Sequence, residues 1–85
     1  MTQLLPEDAG RLIVRLDSRH QPVSFVWEKR LHVIRRVVNE WRVDDGWWHR
    51  PLSRHYYQVI TTSGWLVIFY WDRFGRTWHL ERLHD

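Results

Sequence analysis

Apolar side chains recur at every second position in segment after segment, the period of a pleated strand and not of a helix. In RLIVRLD, Leu12, Val14 and Leu16 take one face while Arg15 and Asp17 take the other. VSFVWE repeats the pattern with Val23, Phe25 and Trp27 on one face. RHYYQVITT places Tyr57 and Val59 together and Tyr56 opposite them, and RTWHLERL sends Trp78 and Leu80 inward and His79 and Glu81 outward. WLVIFYW is apolar on both faces, which marks it as the most buried strand. Turn signals separate these runs: SRHQP, the Glu28-Lys29-Arg30 stretch, a Ser63-Gly64 hairpin turn, and DRFG, whose Gly75 suits a left-handed bulge position.

One segment, LHVIRRVVNEWRVD, is ambiguous. Leu31, Ile34, Val38 and Trp41 have helical spacing, whereas Leu31, Val33, Val37, Trp41 and Val43 share a strand register. The β-branched residues between positions 33 and 43 favour the strand, because they are stiff in helices and fit a pleated surface. Arg35 falls on the buried face of that register, so a bulge or bend is expected near Arg35-Arg36. The expected fold is therefore all-β: six antiparallel strands in meander order, curled into an SH3-like sheet or barrel. The alternative is α+β, with a short helix at 31–41. Residues 1–10, punctuated by Pro6, Glu7, Asp8 and Gly10, read as a lead-in, and residues 11–85 as a single β domain.

A chain of 85 residues buries a modest fraction of its surface and needs something to compensate. With no cysteine, disulfides are excluded, and the composition fits a reducing, cytoplasmic setting. Aromatic mass is the substitute: the chain has 7 Trp, 3 Tyr and 3 Phe, and each buried ring removes roughly 150–250 Å² from water. The N-terminus carries no basic, apolar leader pattern. The longest apolar run, Trp65 to Trp71, falls far short of the roughly 20 residues of a membrane helix.

Catalytic and metal constellations are missing from the sequence. No thiol is present, and Ser18, Ser24, Ser53 and Ser63 lack a nucleophile motif. Asp44-Asp45 precedes Gly46 in a turn-like context, where Asp usually serves its own backbone. His20, His32, His49, His55, His79 and His84 show no zinc-ligand spacing. Isolated glycines build no phosphate loop. The expectation is a non-enzymatic module without cofactor or metal.

What remains is arginine interleaved with aromatics. The formal net charge is +3, and Lys29 is the single lysine among 13 basic residues. Arginine pairs bidentately with phosphate and stacks on rings. Single-stranded nucleic acid is held by basic grooves with aromatic stacking platforms. The candidate contacts are Trp48, Arg50, Arg54, Tyr56, Arg73 and Arg76. Alternation divides the doublets of DDGWWHRPLSRHYY: Trp47 and Tyr57 inward, Trp48 and Tyr56 outward. A second reading is a protein-interaction or self-association module, because aromatics beyond the needs of one small core mark interfaces. The same rings also serve simply to pack the core.

The segments EWRVDDGWWHRPLSRHYYQV and DRFGRTWHLERL, with Gly64 between them, resemble an uncharacterised family of small bacterial domains. The shared pattern is Trp-Arg-Val, Gly-Trp-Trp, Arg-x-Tyr-Tyr and a late Asp followed by Gly-x-x-Trp, over roughly residues 11–83. A similar pattern occurs near the C-terminus of the inactive Y-family polymerase-like subunit of bacterial mutasomes, the translesion synthesis assemblies. The resemblance implies a non-catalytic module in DNA repair or translesion synthesis, with single-stranded nucleic acid or a repair protein as its partner.

Overall fold

In the computed structural model, residues 11–46 and 51–84 are described. They form six strands: β1 (Arg11–Leu16), β2 (Pro22–Trp27), β3 (Arg30–Asp45), β4 (Leu52–Thr61), β5 (Leu66–Asp72) and β6 (Thr77–His84). Each strand pairs antiparallel with the next, and β1 returns to β6 through Arg11 opposite His79 and Leu12 opposite Trp78, closing a barrel in β1-β2-β3-β4-β5-β6 order. Closure removes the sheet edges that an open meander would leave unpaired at β1 and β6. The ambiguous segment is strand throughout, so the helical alternative for residues 31–41 is overturned.

The core is a short stack of inward positions. Leu12, Phe25, Tyr57, Val59, Val67 and Phe69 are buried, and Val14, Trp27, Ile34, Val37, Trp65, Trp78, Leu80 and Leu83 pack against them. No residue of β5 is fully exposed, in keeping with its two apolar faces. Phe69 is its centre, with ring centroids 5.5 Å from Phe25 and 5.7 Å from both Tyr57 and Trp78.

β3 differs from the simplest register. Leu31 is 64% exposed and Val33 44% exposed, while His32 and Ile34 turn inward. The physical reason is aromatic: His32 stacks on Phe25 at 5.0 Å and 14°, so an imidazole takes an apolar place that its polarity conceals in the sequence. The ladder with β4 then slips between Ile34 and Arg36 and again between Val37 and Asn39. The first slip leaves Arg35 unpaired and sets Arg36 opposite Ile60, so Arg36, which unbroken alternation from Ile34 would turn inward, stays in solvent. The expected bulge near Arg35-Arg36 is present, but Arg35 itself is not on the buried face.

The turns are held by specific groups. Glu28 and Lys29 both have positive φ, 51° and 65°, the signature of a type I′ hairpin turn. Asp17 Oδ1 accepts from the backbone N–H groups of Arg19 and Gln21, and these bonds lower its carboxyl pKa below the ordinary 3.8. In the β5–β6 loop the left-handed residue is Arg76 (φ 56°), not Gly75. Gly75 is closely approached instead: a Cβ there would sit 2.7 Å from Asp72 Oδ2, so the carboxylate would have to shift. Asp72 Oδ1 meanwhile accepts from the N–H groups of Phe74 and Gly75, each at 3.1 Å.

Candidate nucleic-acid interface

Residues opposite one another in a sheet share a face. From β3 to β6, the register places Trp41 opposite Tyr56, Tyr56 opposite Tyr70, and Tyr70 opposite His79. None of these four is buried, so the row lies on the solvent side of the barrel. The rings touch in sequence across the sheet. Trp41 and Tyr56 stack at 5.2 Å and 1°, Tyr56 and Tyr70 meet at 5.0 Å, and Tyr70 and His79 stack at 5.3 Å. Arg11, opposite His79, extends the row onto β1.

Arg54 brings a cation directly onto this row. Its guanidinium lies 4.4 Å from the centre of the Tyr70 ring, and its Nη1 donates to Tyr56 Oη at 3.2 Å. Burial works against the Arg54 charge, but the Tyr56 hydrogen bond and the attractions to Tyr70, Tyr56 and Asp72 outweigh it and raise its pKa. Its Nε has no partner among the described residues. Burial raises the Tyr70 hydroxyl and lowers the His79 imidazole, so both are neutral near neutral pH. Two more arginines share the face by register, Arg36 opposite Ile60 and Arg82 opposite Ile68. Asp72 is on the same side, with one carboxylate oxygen committed to the loop it caps.

One step along each strand, the side chains point the other way. His55 stands opposite Trp71, Trp71 opposite Trp78, and Trp78 opposite Leu12. Trp71 and Trp78 are 5.2 Å apart, Trp78 is 5.7 Å from Tyr57, and His55 stacks on Tyr57 at 4.5 Å and 8°. His55 Nε2 meets Glu40 Oε2 at 3.2 Å. Leu16, His20, Tyr57, Trp71 and Trp78 line an open cavity of about 200 Å³ at this end of the barrel.

The candidate residues divide accordingly. Arg54 and Tyr56 come together, and Tyr57 is inward at 6% exposure while Tyr56 is outward and half-buried. Arg73 and Arg76 are exposed on the β5–β6 loop, which is tied to β4 by the Arg73 N–H donating to the Ser53 carbonyl at 3.0 Å. Trp48 and Arg50, and with them the division of the Trp47-Trp48 doublet, lie outside the described residues. Trp41, Tyr70 and His79 escaped the reading of the sequence. Each sits at an outward position of an alternating strand, but only the cross-strand register joins them. Asp44 accepts from the Ser53 hydroxyl at 2.6 Å and pairs loosely with Arg42, a structural engagement. Among the described residues, no group of three or more His, Asp or Glu side chains is placed to hold a metal ion, and no helix is long and apolar enough to cross a membrane.

A second outer face has different chemistry. Ile13, Val26 and Leu31 stand opposite one another across β1, β2 and β3, with Ile13 73% exposed and Leu31 64% exposed.

A family model described as "Domain of unknown function (DUF6504)" matches residues 10–85. The match spans most of the chain, which therefore belongs to that family. No curated protein and no solved structure matches it.

Proposed function

For this member of the DUF6504 family, we propose a non-enzymatic module that binds single-stranded nucleic acid across the outer face of β3–β6. The observation that carries the reading is the register-aligned row Trp41, Tyr56, Tyr70 and His79, with Arg54 seated on it. An aromatic row on a curved sheet offers stacking faces to unpaired bases without regard to sequence, each stacked base contributing about 1–3 kcal/mol. Arg54, Arg82 and Arg11 lie beside the row, Arg36 lies further along the same face, and together they supply phosphate contacts. Arg73 and Arg76 reach from the adjoining loop. The resemblance to the polymerase-like subunit of bacterial mutasomes supports a setting in DNA repair or translesion synthesis.

Titration of a fluorescein-labelled oligothymidylate, followed by anisotropy, tests the reading. Binding is expected at low salt, weakening steeply as salt is raised because phosphate neutralisation releases counterions. No binding at low salt to single or double strands would end it.

A second reading rests on the Ile13–Val26–Leu31 row, an apolar strip on the opposite flank of β3. It suits self-association or docking onto a replication or repair protein. Sedimentation of the native chain and of an Ile13→Asp, Leu31→Asp double variant checks the self-association arm. A concentration-dependent dimer lost in the variant supports it, and a native monomer at all concentrations refutes it.

A further inference from the structure

The β2–β3 and β4–β5 turns meet at the opposite end of the barrel from the 200 Å³ cavity. Trp27, Glu28, Arg30, His32 and Trp65 line a recess there of about 320 Å³. The walls are rings: His32 lies against Phe25 on one side and its centroid is 6.0 Å from Trp65 on the other. Two nitrogens in this lining, Trp27 Nε1 and His32 Nε2, are shut off from water and have no hydrogen-bond partner among the described residues. An indole N–H donates and does nothing else, so Trp27 Nε1 is satisfied only by an acceptor. His32 Nε2 can supply a second donor to the same acceptor when it carries the ring proton. Arg30, directly opposite Trp27 in the ladder, adds a guanidinium.

Indole N–H, imidazole N–H and guanidinium together match the oxygens of a carboxylate, and flat ring walls match a flat ligand body. We propose that this end of the barrel is a binding site for a small planar carboxylate. The acid group meets Trp27, His32 and Arg30, and the planar body lies between Trp27 and Trp65. Glu28 on the same rim repels a second negative charge, so the site selects monoanions over phosphates and dicarboxylates. Because both nitrogens are shut off from water, entry needs rim side chains to shift, a motion that surface side chains make within nanoseconds.

The test uses the whole ¹⁵N-labelled chain, titrated with benzoate while the indole N–H signals are followed. The Trp27 signal, identified by its loss in Trp27→Phe, is expected to move and saturate. Arg30→Ala, which removes a rim group and leaves the core intact, is expected to weaken benzoate roughly tenfold. Benzamide, of the same shape without the charge, is expected to bind more weakly, and inorganic phosphate to leave the Trp27 signal in place. The proposal is overturned if benzoate leaves that signal unmoved in the folded protein. It is equally overturned if phosphate moves the signal as benzoate does, or if Arg30→Ala binds benzoate as tightly as the native chain. This site lies apart from the outer row, so the oligonucleotide titration succeeds or fails independently of it.

Discussion

Two aromatic rows run across the same strands, one residue apart. The inner row of His55, Trp71 and Trp78, with Tyr57 beneath it, closes one end of the core. The outer row of Trp41, Tyr56, Tyr70 and His79 faces solvent. The doublets Tyr56-Tyr57 and Tyr70-Trp71, and the pair Trp78-His79, each send one member to either side of the sheet. Ring chemistry is nearly the same in both, so the difference in role comes from the pleat alone. Inward rings lose water on folding and hold the barrel together. Outward rings keep an open side, gain little stability and remain free to meet a partner.

Stability measurements attack the contrast at its strongest point. Phe69→Ala, at a fully buried position under Phe25, Tyr57 and Trp78, is expected to cost about 3–5 kcal/mol in urea denaturation. That is most of the stability of a small domain. Within the tyrosine doublet, Tyr57→Ala should fall in the same range, whereas Tyr56→Ala should lower stability by about 1 kcal/mol or less. Equal losses from the two tyrosines would break the distinction between rows.

Binding inverts the order. Tyr56→Ala and Tyr70→Ala are each expected to reduce oligothymidylate affinity by about 1–3 kcal/mol in anisotropy titrations. Arg54→Ala should lower both the affinity and the steepness of its salt dependence, by removing a phosphate contact. A milder substitution tests the loop beside the rows. Gly75→Ala forces a methyl against the Asp72 carboxylate and disturbs the cap on Phe74 and Gly75, with a loss of about 1 kcal/mol expected by thermal denaturation.

The smallest effect is on pH dependence. Burial holds the His79 imidazole below its ordinary 6.5. As pH falls, the unfolded chain therefore takes up this proton before the folded one does, and stability rises with pH through this window. The His79 contribution is fully present above about pH 6.5 and is lost as pH falls through the lower folded value. The melting temperature of the native chain should sag over this range relative to His79→Phe. Identical pH profiles would show that His79 is no more buried in the row than a surface histidine.

The sequence made the barrel legible because alternation is local. Phe25 and Trp27, or Tyr57 and Val59, declare their face without reference to any other strand. Val23, read with them, stands outside the core because the ladder slips between Arg15 and Leu16 and buries Pro22 instead. The sequence also located the irregularity near Arg35-Arg36, although through the wrong face: Leu31 and Val33 are outward, and the guanidinium that the slip keeps from the core is that of Arg36. His32 was not legible, because its inward place depends on the Phe25 ring across the ladder. The outer row was half legible for the same reason. Tyr56 and Arg54 are near neighbours in the chain, but Trp41, Tyr70 and His79 join them only through pairings set by turn lengths and by the slips in β3. Gly75 was misread for a related reason: its constraint comes from the Asp72 carboxylate, not from its own backbone angles.

The central claim is that nucleic acid meets the outer row and not the inner one. The most direct measurement is a map of aromatic and indole resonances in the labelled protein during titration with unlabelled oligothymidylate at low salt. Signals of Trp41, Tyr56, Tyr70 and His79 are expected to move together, with those of Phe25, Phe69 and Trp27 unchanged. Shifts confined to the Ile13–Val26–Leu31 face, or to the inner row with the outer one silent, would contradict it.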